Sequence, residues 1–117
     1  MPIVTVTELE LLEFFGVLPK LRDPDDPWPY NDALYEVQYG GNLSLSFALA
    51  PSYKDVRLML SFRGTKVYEL NATAVQDVKH RREGERESLE IKINEQDSLF
   101  LFLAPNIELL HQTQQRA

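Results

Sequence analysis

Two histidines, no cysteine and a scatter of acids are the raw material for chemistry in this 117-residue sequence. A catalytic site needs a nucleophile, a base and a group that orients them. His80 lies among cations in Lys79-His80-Arg81-Arg82 and reads as an exposed residue at a strand end, while His111 sits in a glutamine-rich tail that holds geometry poorly. No Gly-x-Ser-x-Gly elbow, P-loop or His-Glu-x-x-His pattern occurs. No catalytic residue is therefore expected, and the chain reads as a non-enzyme. The lack of cysteine removes disulfides, thiolate nucleophiles and Cys-type zinc sites, and it suits a reducing compartment. Asp23, Asp25 and Asp26 come nearest to an oxygen-rich metal site. A calcium loop needs carboxylates at alternate positions, a central glycine and a late glutamate, and here Pro27 and Trp28 occupy the critical stretch. Neither a metal nor a cofactor is expected.

Binding chemistry is better represented. Lys79, Arg81, Arg82 and Arg86 interleave with Glu83, Glu85 and Glu87, which reads as a self-paired turn with no aromatic platform in the same stretch. The balance of 12 Lys plus Arg against 18 Asp plus Glu, a net charge of −6, argues further against a nucleic-acid binder. Tyr30, Tyr35, Tyr39, Tyr53 and Tyr68 suit either a ligand pocket in a small barrel or core positions with the hydroxyl at the rim. Trp28 is the most suggestive residue. It stands between Pro27 and Pro29 beside Asp25 and Asp26, in a stiff acidic loop that loses little entropy on binding. Trp28, Tyr30, Asp25 and Asp26 form the candidate partner-binding set. The competing reading has Trp28 and Tyr30 tucked onto the sheet as a plug over one end of the core.

The elements that must hold these residues follow from periodicity. The length fits one domain over residues 1–117. Thr7-Glu8-Leu9-Glu10 is a capping box, with Val6 and Leu11 placed as a staple, and predicts a helix over 8–15 ended by Gly16. Four prolines make residues 19–32 an irregular acidic connector. From residue 33 to 110 apolar and polar residues alternate in short runs, as in Leu43-Ser44-Leu45-Ser46-Phe47. Gly40-Gly41 predicts a two-residue hairpin, Arg63 to Lys66 a longer turn, and Gln112 to Ala117 a frayed tail. Short turns without helical crossovers require antiparallel pairing. The fold class is thus mainly β (α+β): a short N-terminal helix packed on an antiparallel meander of six or seven strands, forming a sandwich or a partly open barrel.

Two asymmetries remain. Residues 1–40 hold eight acids and two bases, whereas residues 41–117 hold ten of each, so the entire negative excess lies in the first third. Leu99 to Leu103 is apolar on both faces and needs a cover for the second face, first from the helix and otherwise from a second subunit. Nothing resembles a leader or a membrane span, so the chain reads as a complete cytoplasmic protein, monomer or homodimer, with no membrane or nucleic-acid partner. The best-supported function is a non-catalytic module that binds another, basic protein. In class and not in sequence, this profile resembles bacterial immunity proteins and antitoxin-like inhibitors. A carrier of small apolar ligands in a barrel cavity is the alternative, and an enzyme of unknown class comes after it.

Overall fold

Thr7 opens the helix as its capping box requires. The Thr7 hydroxyl accepts from the Glu10 amide at 3.1 Å, the Glu10 carboxylate accepts from the Thr7 amide at 2.9 Å, and Gly16 at φ 72° ends α1 (Glu8–Phe15). The structure, a computed structural model, describes residues 3–114. After α1 come β1 (Lys20–Leu21), a single 3₁₀ turn (Trp28–Tyr30), β2 (Ala33–Tyr39), β3 (Leu43–Ala50), β4 (Asp55–Phe62) and β5 (Thr65–Ala72). They are followed by β6 (Asp77–Glu83), β7 (Arg86–Lys92), β8 (Asp97–Phe102) and β9 (Glu108–Thr113).

The strands form two antiparallel meanders, a five-stranded sheet β1-β2-β3-β4-β5 and a four-stranded sheet β6-β7-β8-β9. The mainly β architecture follows from alternation: Leu45, Phe47 and Leu49 point inward from the first sheet, and Leu89, Ile91, Leu99 and Leu101 from the second. Phe15 of α1 ties these layers together. Its ring stacks at 5.0 Å on Tyr35 and at 5.3 Å on Phe47, while Phe14 meets His80 of the other sheet edge-on at 6.0 Å. The result is a sandwich whose centre holds the neighbouring rings of Phe15, Tyr35 and Phe47. Tyr35 is buried, Tyr39 and Tyr68 are half-buried, and Tyr30 and Tyr53 are exposed.

Four expectations change. The Gly40-Gly41 connection includes Asn42, because Tyr39 pairs with Leu43; Gly41 and Asn42 both take positive φ. The two-residue hairpin with both residues at positive φ is instead Arg63-Gly64, since Thr65 and Lys66 already pair in β5. The tail does not fray at Gln112. β9 runs through Thr113, whose hydroxyl donates to Asp97 at 2.9 Å, and the Gln114 amide bonds the Gln96 carbonyl; residues 115–117 of that tail lie outside the described residues. The helix does not cover the second face of β8. It packs against β6 and β7 and reaches Tyr35 and Phe47 between the layers, so Phe100 and Phe102 are left lining an open groove on the outer side.

Candidate functional site

The proline-rich connector is organised around Asn31, which is 4% exposed. Its side-chain amide donates to the carbonyls of Asp23 at 2.6 Å and Asp26 at 3.0 Å, and its carbonyl oxygen accepts from the amides of Asp23 and Asp32. One side chain thus replaces the backbone pairing that the prolines forbid. The Ser52 hydroxyl fastens the connector to the β3–β4 turn by donating to the Pro29 carbonyl at 2.5 Å. Within this frame the structure divides the candidate set. Trp28 is not a surface anchor: it is 6% exposed and its indole N–H donates to the Tyr35 hydroxyl at 3.1 Å. An indole ring that can satisfy its only donor internally gains more from burial than from water. Trp28 therefore takes the plug position, while Tyr30, two residues on, is 71% exposed.

Tyr30 shares an open groove with Tyr53, which is 76% exposed, and with Asp23, Asp32 and Asp55. Asp25 and Asp26 lie exposed on the turn beside Asp23, closed by the Asp26 amide bonding the Asp23 carbonyl. No ion pair engages the carboxylates of Asp23, Asp25 or Asp26 among the described residues. Asp32, by contrast, pairs with Arg57. Glu8 of α1 acts electrostatically on the same hydroxyl that Trp28 bonds. Burial raises the Tyr35 hydroxyl above its ordinary range, the Trp28 hydrogen bond works against that, and Glu8 adds to it. The structure therefore places Tyr30, Asp25 and Asp26 on one exposed stretch and adds Tyr53, for which the sequence left a pocket and a core position both open. The signal available for Tyr53 was its place in the turn Pro51-Ser52-Tyr53-Lys54.

The histidines occupy other surroundings than their neighbours in sequence suggest. The His80 side chain is 11% exposed and sits between two carboxylates, Nε2 at 2.9 Å from Glu87 and Nδ1 at 3.7 Å from Glu10. Glu87 is held below its usual range, first by the hydrogen bond to His80 and also by Arg82, against a smaller opposing effect of burial. His111 stands on β9 with Nε2 3.6 Å from Asp97. The three arginines of the basic cluster are paired, partly within the turn and partly beyond it: Arg81 with Glu90 and Glu83, Arg82 with Glu87, and Arg86 with Glu108 of β9. An aromatic surface does stand beside it, brought by β8 from a later part of the chain, with the Arg86 guanidinium 4.0 Å from the centre of the Phe102 ring. No group of three or more His, Asp or Glu among the described residues is placed to share a metal ion. No helix among them is long and apolar enough to cross a membrane.

No family model and no curated protein matches this sequence. A solved structure does share the fold. A chain of the contact-dependent growth inhibition toxin–immunity protein complex from Klebsiella pneumoniae 342 superposes with a TM-score of 0.81, at 17% identity, over 97% of this chain and 100% of that one.

Proposed function

We propose that this protein is a non-catalytic binding module of the immunity type, which holds a basic protein partner at its acidic, tyrosine-bearing end. The observation that carries the reading is the pairing of Tyr30 and Tyr53, both largely exposed, with three carboxylates that have no ion pair among the described residues, on a connector pinned from below by Trp28 and Asn31. Large amphipathic rings on a preorganised support lose little entropy when they dock. Unpaired acids around them attract a cationic surface and raise its rate of encounter. The toxin–immunity complex to which the superposed chain belongs supports a protein as the partner, and a growth-inhibiting toxin as its class.

The test is capture from the native cell by the tagged full chain, wild type against Tyr30→Ala and against Asp25→Lys with Asp26→Lys. The reading expects a basic protein that is retained by the wild type, falls off as salt rises, and is lost with both variants. Production of that protein alone should arrest growth, and co-production of this chain should restore it. Equal capture by all three proteins, or a partner whose toxicity this chain leaves unchanged, would overturn the reading.

A further inference from the structure

Sheet edges present unpaired amides and carbonyls, and proteins that stay apart protect them with bulges, lysines, prolines or covering segments. Three of the four edges here carry such a device. β1 caps the start of β2. In β5 the register slips so that Val67 stands outside the pairing, beside Lys66. The N-terminal segment lies along β6, with the Val6 amide on the Val78 carbonyl and the Thr5 amide and hydroxyl on Asp77. Among the described residues β9 has none of these. Glu108-Leu109-Leu110-His111-Gln112-Thr113 contains no lysine, arginine or proline, and its pairing with β8 runs without a slip from Glu108 to Thr113.

We infer that β9 is the contact through which two copies of this chain associate, pairing antiparallel about a two-fold axis with Leu110 opposite Leu110. The hydrogen-bond pattern sets this register. The Gln114 amide bonds the Gln96 carbonyl, so the alternation of an antiparallel ladder turns the backbone groups of Leu109 and His111 to the free side. With Leu110 on the axis, those groups face each other as Leu109 against His111 and form four new hydrogen bonds. The side chains agree. Leu110 is 44% exposed and lies directly opposite Phe100 in the β8–β9 register, so the pairing joins the two apolar outer faces into one strip, Phe100–Leu110–Leu110–Phe100. Glu108 comes opposite Gln112, so no like charges meet across the axis, and Arg86 already neutralises Glu108 at 2.9 Å.

The experiment measures the mass of the full chain by sedimentation from micromolar concentration to about 1 mM, the weak end of specific association. The mass should rise from 13.5 kDa toward twice that value. His111→Pro removes a free-side amide, together with the imidazole near Asp97, and Leu110→Lys places two cations on the axis; both should stay at the single-chain mass with an unchanged far-UV spectrum. Because the chain has no cysteine, Leu110→Cys offers a second measurement that needs no loss of folding. Directly opposed residues of this kind lie within disulfide reach. Mild oxidation should therefore convert Leu110→Cys to a covalent dimer, while Val67→Cys on the opposite sheet stays uncrosslinked at the same concentration. A wild type that keeps the single-chain mass throughout, a dimer that survives both Leu110→Lys and His111→Pro, or equal crosslinking at the two cysteines would overturn the inference.

Discussion

The acidic connector and the β6–β7 hairpin are the two most charged stretches of the chain, and they dispose of their charge in opposite ways. On the hairpin each of three arginines has a carboxylate within reach, Arg81 to Glu90 at 2.9 Å, Arg82 to Glu87 at 2.6 Å and Arg86 to Glu108 at 2.9 Å. On the connector Asp23, Asp25 and Asp26 have no ion pair among the described residues, and Asn31 spends its hydrogen bonds on their backbone. Paired charges cancel over a Debye length of about 8 Å at physiological salt, whereas an unpaired cluster projects its field to an approaching partner. A dense run of charged residues is therefore no guide to a binding surface until the pairs are drawn. Here they put the free charge where the exposed tyrosines are.

The sharpest way to break this contrast is to remove what holds the connector. Trp28→Ala deletes a buried ring and orphans the Tyr35 hydroxyl beneath it. The loss should be about 3–5 kcal/mol, typical of a large aromatic taken from a core, and a large share of the usual stability of a small domain. Chemical denaturation reads it directly. An unchanged midpoint would mean that the connector stands without its plug. The second expected effect is kinetic. Asp25→Lys with Asp26→Lys should slow association with the basic partner by about tenfold, equivalent to about 1.4 kcal/mol, and flatten its salt dependence, with the fold intact. Arg82→Ala on the hairpin should leave the association rate within about twofold, because its charge is already neutralised. Equal rate losses at the two sites would erase the distinction between them.

Local rules made the helix legible to the residue: Thr7 with Glu10 at its start and Gly16 with Leu12 at its end each act over three or four residues, and α1 ends where they require. Alternation likewise revealed β3, β4 and β7, whose apolar positions point to one core. What sequence could not show is pairing at a distance. His80 reads as a residue among cations because Lys79, Arg81 and Arg82 adjoin it, yet its neighbours in space include Glu10, seventy positions away. Trp28 between its prolines reads either as a binding anchor or as a plug on the sheet, and the Tyr35 hydroxyl, which gives its indole a buried partner, decides for the plug. The far end of β9 was hidden for the same reason: Gln112 and Thr113 have no strand pattern of their own and pair with Ser98 and Asp97. The cap remains a purely local claim and yields a smaller effect than either surface. Thr7→Ala removes the acceptor of the Glu10 amide and should cost about 1 kcal/mol in a denaturation midpoint, without altering partner capture.

The smallest effect concerns acid, and it separates the carboxylates that are held from those that are free. Asp77 lies where burial works to raise its carboxyl, but hydrogen bonds from the Thr5 hydroxyl, the Thr5 amide and the Val78 amide outweigh that, and the net shift is downward. Asp97 is lowered too, first by Asn94 and then by Thr113. A carboxylate whose folded-state value is depressed binds protons more readily when unfolded. Its contribution to stability is therefore complete above the unfolded value of about 4 and is lost as the pH falls through the depressed folded one. Stability should accordingly be flat from neutrality to about pH 5 and decline below about pH 4. Thr5→Val takes away the hydroxyl donor to Asp77 and moves the folded value back toward the unfolded one, so the acid-dependent part of the stability should shrink. Asp25→Asn, on an exposed turn with no ion pair among the described residues, is the comparison variant that removes one connector charge and leaves the Thr5–Asp77 contact untouched. Denaturant midpoints at closely spaced pH values distinguish the two variants. An acid limb that responds to Asp25→Asn and ignores Thr5→Val would show that the charge on the connector, and not the clasp between the N-terminal segment and β6, governs how the fold meets acid.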